Sequence, residues 1–89
     1  MSILNSPDTV VVSFENGVPT ALIRAGVRYR VSDTPTPIRG SILHDLLTHP
    51  LEPIVGWRFQ GTAEDGTTRI FDVLFSAPLA QWRVVHVYE

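Results

Sequence analysis

The amino-acid sequence predicts a mainly β fold, a small antiparallel barrel or strongly bent sheet of about five to six strands with one short helix. Three observations carry this expectation. An aromatic residue is joined directly to an arginine in three extended-looking runs: Tyr29-Arg30 in VRYRV, Trp57-Arg58 in VGWRF and Trp82-Arg83 in WRVVHVYE. Successive strand residues point to opposite faces, so each pair puts a ring on one side of a sheet and a fixed charge on the other. Turn signals at Asn16-Gly17, Ala25-Gly26 and Asp65-Gly66 separate the runs. Finally, Trp82 to Tyr88 is apolar on both faces, which suits a closed barrel, a central strand or a covered edge.

Eighty-nine residues support one domain, read as 9–89 behind a loose tail at 1–8. There is no cysteine, so neither disulfides nor thiolate metal sites contribute, and a 44% hydrophobic content carries the stability. All seven cations are arginine against nine carboxylates, for a net charge of -2. A genome rich in G and C explains that arginine usage more simply than selection for a bidentate donor. No apolar run reaches the ~20 residues of a membrane helix, and MSILNSPD lacks the basic start and apolar stretch of a signal peptide. The expectation is a cytoplasmic protein with no membrane association.

For the first hairpin, a two-residue Asn16-Gly17 loop pairs Phe14 with Pro19, Val12 with Ala21 and Val10 with Ile23, giving one apolar face. Pro19 then opens its strand. At the next turn a three-residue Arg24-Ala25-Gly26 loop keeps Ile23, Val27, Ala21 and Tyr29 on that face, whereas a two-residue Ala25-Gly26 loop brings Arg24 onto it. The longer loop is expected, with Leu22, Arg28 and Arg30 outside. Around Glu64-Asp65-Gly66 a three-residue loop pairs Phe59 with Phe71 and Trp57 with Val73, and sets Arg58 opposite Asp72. A tighter turn would bury the carboxylate among rings, and an unpaired buried carboxylate is costly. Residues 32–54 hold four of the seven prolines. Ile42, Leu43, Leu46 and Leu47 recur at helical spacing behind Ser41, which predicts a helix near 42 to 48, with an irregular or extended segment as the alternative. The last strand is Trp82 to Tyr88, with Trp82, Val84, His86 and Tyr88 on one face and Arg83, Val85, Val87 and Glu89 on the other.

No catalytic, metal-binding or cofactor-binding set is expected. His44, His49 and His86 share no motif with a serine or carboxylate, and His44 and His49 are five apart, which misses the i, i+4 spacing of two ligands on one helix face. His86 reads as half-buried and bonded to backbone. Trp57, Phe59, Phe71, Phe75 and Tyr29 read as core. The candidate binding residues are Arg28, Arg30, Arg58 and Arg83, which alternation sends outward, with Leu22 as an apolar anchor among them. They suit a non-enzymatic interaction module whose partner is another protein or a second copy. The alternative is nucleic-acid binding, which a negative chain with inward rings serves less well.

GVRYRV after a short strand, VGWRF followed by a turn and IFDVLF, and the closing WRVVHVYE resemble a small β domain of unknown function from high-GC Gram-positive bacteria. Such domains stand alone or are appended to proteins similar to Y-family DNA polymerases. The resemblance spans most of residues 18–89 and implies a link to DNA repair, with no catalytic residue carried across. Val27 stands where that family's pattern has its first arginine, and the Pro-rich centre departs from a Trp-containing one.

Overall fold

The computed structural model describes residues 9–40 and 53–88. The tail at 1–8, the helix expected near 42 to 48 with His44, Asp45 and His49, and Glu89 lie outside the described residues. Seven strands form: β1 (Thr9–Glu15), β2 (Val18–Arg24), β3 (Val27–Val31), β4 (Thr36–Arg39), β5 (Ile54–Ala63), β6 (Thr68–Ser76) and β7 (Gln81–Tyr88). They lie in the order β3-β2-β1-β7-β6-β5-β4, and a further pairing of β3 with β5 closes a six-stranded antiparallel barrel with β4 as an extra strand. This is the predicted class. β4 is the extended part of the Pro-rich connection, and Pro37, which has no N–H to donate, is tolerable in such an outermost strand.

The closing seam is short: Tyr29, Arg30 and Val31 face Ala63, Thr62 and Gly61. Gly61 makes it possible, because a Cβ there would stand 2.9 Å from the Tyr29 Cβ and 3.1 Å from Cε2 of Phe71. In the space left, the Tyr29 ring meets Phe71 edge-on, with centroids 4.9 Å apart. Beyond Val31, the Ser32 N–H donates to the Gln60 carbonyl at 2.8 Å and the Gln60 N–H donates to Asp33 Oδ1 at 2.8 Å, which carries the chain along β5 into β4.

The β5–β6 hairpin has the expected register, with Phe59 across from Phe71, Trp57 from Val73 and Arg58 from Asp72. Its loop is closed by backbone bonds from Ala63 to Thr67 and from Gly66 to Ala63, with Gly66 at φ 90. That is the left-handed position for which glycine has no steric penalty.

The β1–β2–β3 register differs from the expected one. Glu15 and Val18 flank the Asn16-Gly17 turn and Phe14 faces Pro19, as expected, but Ser13 then faces Ala21 and Thr20 is left as a bulge. One extra residue reverses the parity of all that follows in β2. Val12 therefore faces Leu22 rather than Ala21, and Ile23 faces Val11 rather than Val10. Leu22, expected outside as an anchor, is fully buried, while Ile23 is 40% exposed. Pro19 is the second residue of β2 and buried, not its first. The same reversal decides the next turn. Leu22 now has to share a face with Tyr29, which the two-residue Ala25-Gly26 loop accomplishes and the three-residue one does not. Both loop residues take positive φ, 51 for Ala25 and 81 for Gly26. Arg24 does fall on the inner face, as that loop requires, but beside the turn at the rim and opposite the exposed Val27.

A second bulge resolves the two-sided apolar character of β7. Asp72 faces His86 and Val73 faces Val84, so Val85 is the extra residue. Trp82, Val84 and Val87 then all pack on the core, while His86 and Tyr88 turn outward. The core comprises Leu22, Tyr29, Trp57, Phe59, Phe71 and Val73 with smaller neighbours. Phe75 does not join it as expected. It lies towards the end of the barrel, 45% exposed, with its ring 5.2 Å from Trp82.

Full burial of a side chain the size of leucine contributes about 1.5 to 3 kcal/mol. Leu22→Ala is therefore expected to lower the free energy of urea unfolding by about 2 to 5 kcal/mol, and Ile23→Ala by about 0.5 kcal/mol or less. The expected register of the sequence would reverse that order.

Candidate binding surface

Four outward arginines and Leu22 were the candidates. Leu22 is inside, as described. Arg28 and Arg30 lie on β3, Arg58 on β5 and Arg83 on β7. In the ring, β3 and β7 are diametrically opposite, so the four do not form one cluster. Arg83 stands across from Leu74 on one side and Thr9 on the other, away from Arg28 and Arg30.

Arg58 is committed to its cross-strand neighbour. Its Nε donates to Asp72 Oδ1 at 2.7 Å and its Nη2 to Oδ2 at 3.0 Å, a two-pronged contact that matches the planar fork to the carboxylate. The Tyr88 hydroxyl donates to the same Oδ2 at 3.0 Å, and the Arg58 guanidinium lies 5.2 Å from the Tyr88 ring centroid. His86 Nδ1 is 3.6 Å from Oδ2. His86 is thus exposed beside a carboxylate, where half-burial against backbone was expected. These groups cover Asp72 so well that its side chain is only 6% exposed although it lies on the outer wall. Hydrogen bonds from Arg58, opposed by burial and aided by Tyr88, hold the Asp72 carboxyl below its ordinary value of 3.8. The same bonds raise the Arg58 pKa further. The cluster ties β5, β6 and β7 together, and its carboxylate has no room for a ligand.

Arg28 and Arg30 are different. Among the described residues neither makes an ion pair or a side-chain hydrogen bond. They line a groove of about 760 Å³ with Gly26, Val27, Thr62, Ala63, Glu64 and Asp65, where the start of β3 meets the β5–β6 turn. Asp65 is occupied by that turn: its Oδ1 accepts the Thr67 N–H at 2.9 Å, and this bond holds its carboxyl below the usual range.

Strand alternation in the sequence sends Val11 outward, together with Leu22 and Leu74, but puts Ile23 on the core face; the structure keeps Val11 outside and adds Ile23 beside it. Val11, 61% exposed, lies directly across from Ile23, and Ile23 directly across from Arg28. The row crosses three strands on the outside of a barrel that already has its own core. Only the Thr20 bulge turns Ile23 outward, and a lone threonine in a β run carries no such signal. A second apolar feature is the ring set at one end of the barrel, where Trp82 meets Phe14 at 5.3 Å and Phe75 at 5.2 Å.

Among the described residues no three His, Cys, Asp or Glu side chains are grouped so as to hold a metal, and no helix is long and apolar enough to cross a membrane. No protein-family model, curated protein or solved structure matches the chain.

Because Asp72 has a lower pKa folded than unfolded, it contributes stability that is fully present above about pH 4 and is lost as pH falls through the folded value. Unfolding free energies measured from about pH 5 to about pH 2 are expected to fall more steeply for the native chain than for Asp72→Asn. Parallel slopes would remove Asp72 from the acid response.

Proposed function

We propose that the protein is a non-enzymatic interaction module that binds another protein through the outer wall of β1, β2 and β3. The row Val11, Ile23, Arg28 carries the reading. Two apolar side chains face solvent on a strand face that the core does not need, and the adjacent arginines have no side-chain partners among the described residues. Arginine is among the side chains enriched where protein–protein binding energy concentrates, and an adjoining apolar row supplies area that a partner can desolvate. Ile23 takes the anchoring role that the sequence had suggested for Leu22. The opposite wall, where Arg58 is held by Asp72 and Tyr88, supports the barrel instead. The resemblance to domains appended to Y-family DNA-polymerase-like proteins makes a DNA-repair assembly the first place to seek the partner.

A photo-crosslinking residue at Val11 is expected to give a discrete protein adduct in cells, and the same residue at Ile70, on β6, is not. Ile23→Ser combined with Arg28→Ala and Arg30→Ala should abolish the adduct while shifting the thermal midpoint by no more than about 4 °C. Loss of the contrast between the two positions, or an adduct that survives the triple variant, would refute the reading. An adduct of twice the chain mass identifies the partner as a second copy.

A further inference from the structure

We propose that the groove lined by Arg28 and Arg30 on one side and by Thr62 to Asp65 on the other binds an acidic polypeptide segment in extended conformation, with carboxylates two residues apart. The inference rests on the interaction reading above and names the chemistry of the partner.

Arg28 and Arg30 share the outer face of one strand, so their Cα atoms are about 6.6 Å apart. An extended partner repeats its side chains on one face at the same interval, and each guanidinium fork can take a carboxylate with two hydrogen bonds. Nothing among the described residues competes for either arginine. The groove volume of about 760 Å³ lies within the range of ligand-binding sites, and Val27 and Ala63 add apolar lining beside the charges.

The opposite wall selects among anions. Asp65, kept ionised by the Thr67 N–H, and Glu64 both place negative charge on it. A nucleic-acid strand presents phosphates without interruption and would run its charge against Glu64 and Asp65. A polypeptide can follow its acidic residues with a neutral or basic one there. The net charge of -2 also opposes a sequence-independent polyanion site and favours a local, patterned match.

The test is an amide chemical-shift titration of the full chain with three probes. They are an alternating glutamate–threonine peptide of about eight residues, its glutamine–threonine counterpart, and a thymidine oligonucleotide of similar length. The acidic peptide is expected to shift the amides of Val27 to Arg30 and Thr62 to Glu64 saturably. The glutamine peptide should bind at least about 10-fold more weakly, as should the acidic peptide to R28Q/R30Q. Glu64→Gln should tighten binding of the acidic peptide. Absence of shifts at these residues, equal binding of the glutamine peptide, unchanged affinity in R28Q/R30Q, or oligonucleotide binding as tight as the peptide's would each overturn the proposal. If the peptide fails while the Val11 adduct persists, only the partner chemistry falls. If both fail, the interaction surface falls with it.

Discussion

A β strand has a side-chain period of two, so one inserted residue exchanges the faces of everything beyond it, and two such insertions govern this barrel, with a third outside the ring. Thr20 in β2 and Val85 in β7 reset the strands of the ring, and Val55 breaks the register of β5 against β4. The Thr20 bulge turns Leu22 inward and Ile23 outward; the Val85 bulge lets Trp82, Val84 and Val87 share one core. Bulges also bend strands and increase their twist, which a six-stranded ring requires. Parity and closure therefore have the same cause. The outward placement of Ile23 beside Val11 follows from it.

The closed ring also divides its outer wall into two kinds of surface. Along β5, β6 and β7 the polar groups satisfy one another: Arg58, Tyr88 and His86 surround Asp72, and a carboxylate with so little exposure is tolerable because charged and hydroxyl donors reach it. Along β1, β2 and β3 no such charged cluster occurs among the described residues. Val11 and Ile23 face solvent, and Arg28 and Arg30 extend over a groove without side-chain partners among the described residues. The two walls thus differ in how far their charged groups are paired within the barrel.

The parts legible in the sequence were those where a wrong register would have had a large energetic cost. Placing Asp72 opposite Phe59 would bury a charge among rings, so the Arg58–Asp72 pairing and the three-residue loop ending at Gly66 could be read directly. The Asn16-Gly17 turn was equally clear because both residues accept positive φ. Beyond it the signals failed. Val10, Val11 and Val12 are interchangeable in chemistry, and neither face of β2 holds a charge before Arg24, so a slip at Thr20 changes no residue class enough to be noticed. Ala25 sits at φ 51, a conformation alanine does not signal, and the two-residue loop brings the charged Arg24 onto the inner face, which favours the longer loop in the sequence. The Val85 bulge left β7 looking apolar on both sides. Arg28, Arg30 and Val11 were legible because inward and outward side chains alternate whatever the loop length; Ile23 beside them depended on the bulge and was not.

The most direct measurement is a methyl-resolved nuclear Overhauser experiment on Leu22 and Ile23. Leu22 methyl protons are expected to show contacts to the Tyr29 ring and other core rings, and Ile23 methyl protons to show contacts to Val11 and none to the core rings. The opposite pattern, with Ile23 against Tyr29 and Leu22 in solvent, would contradict the bulge, the two-residue turn and the surface that both create.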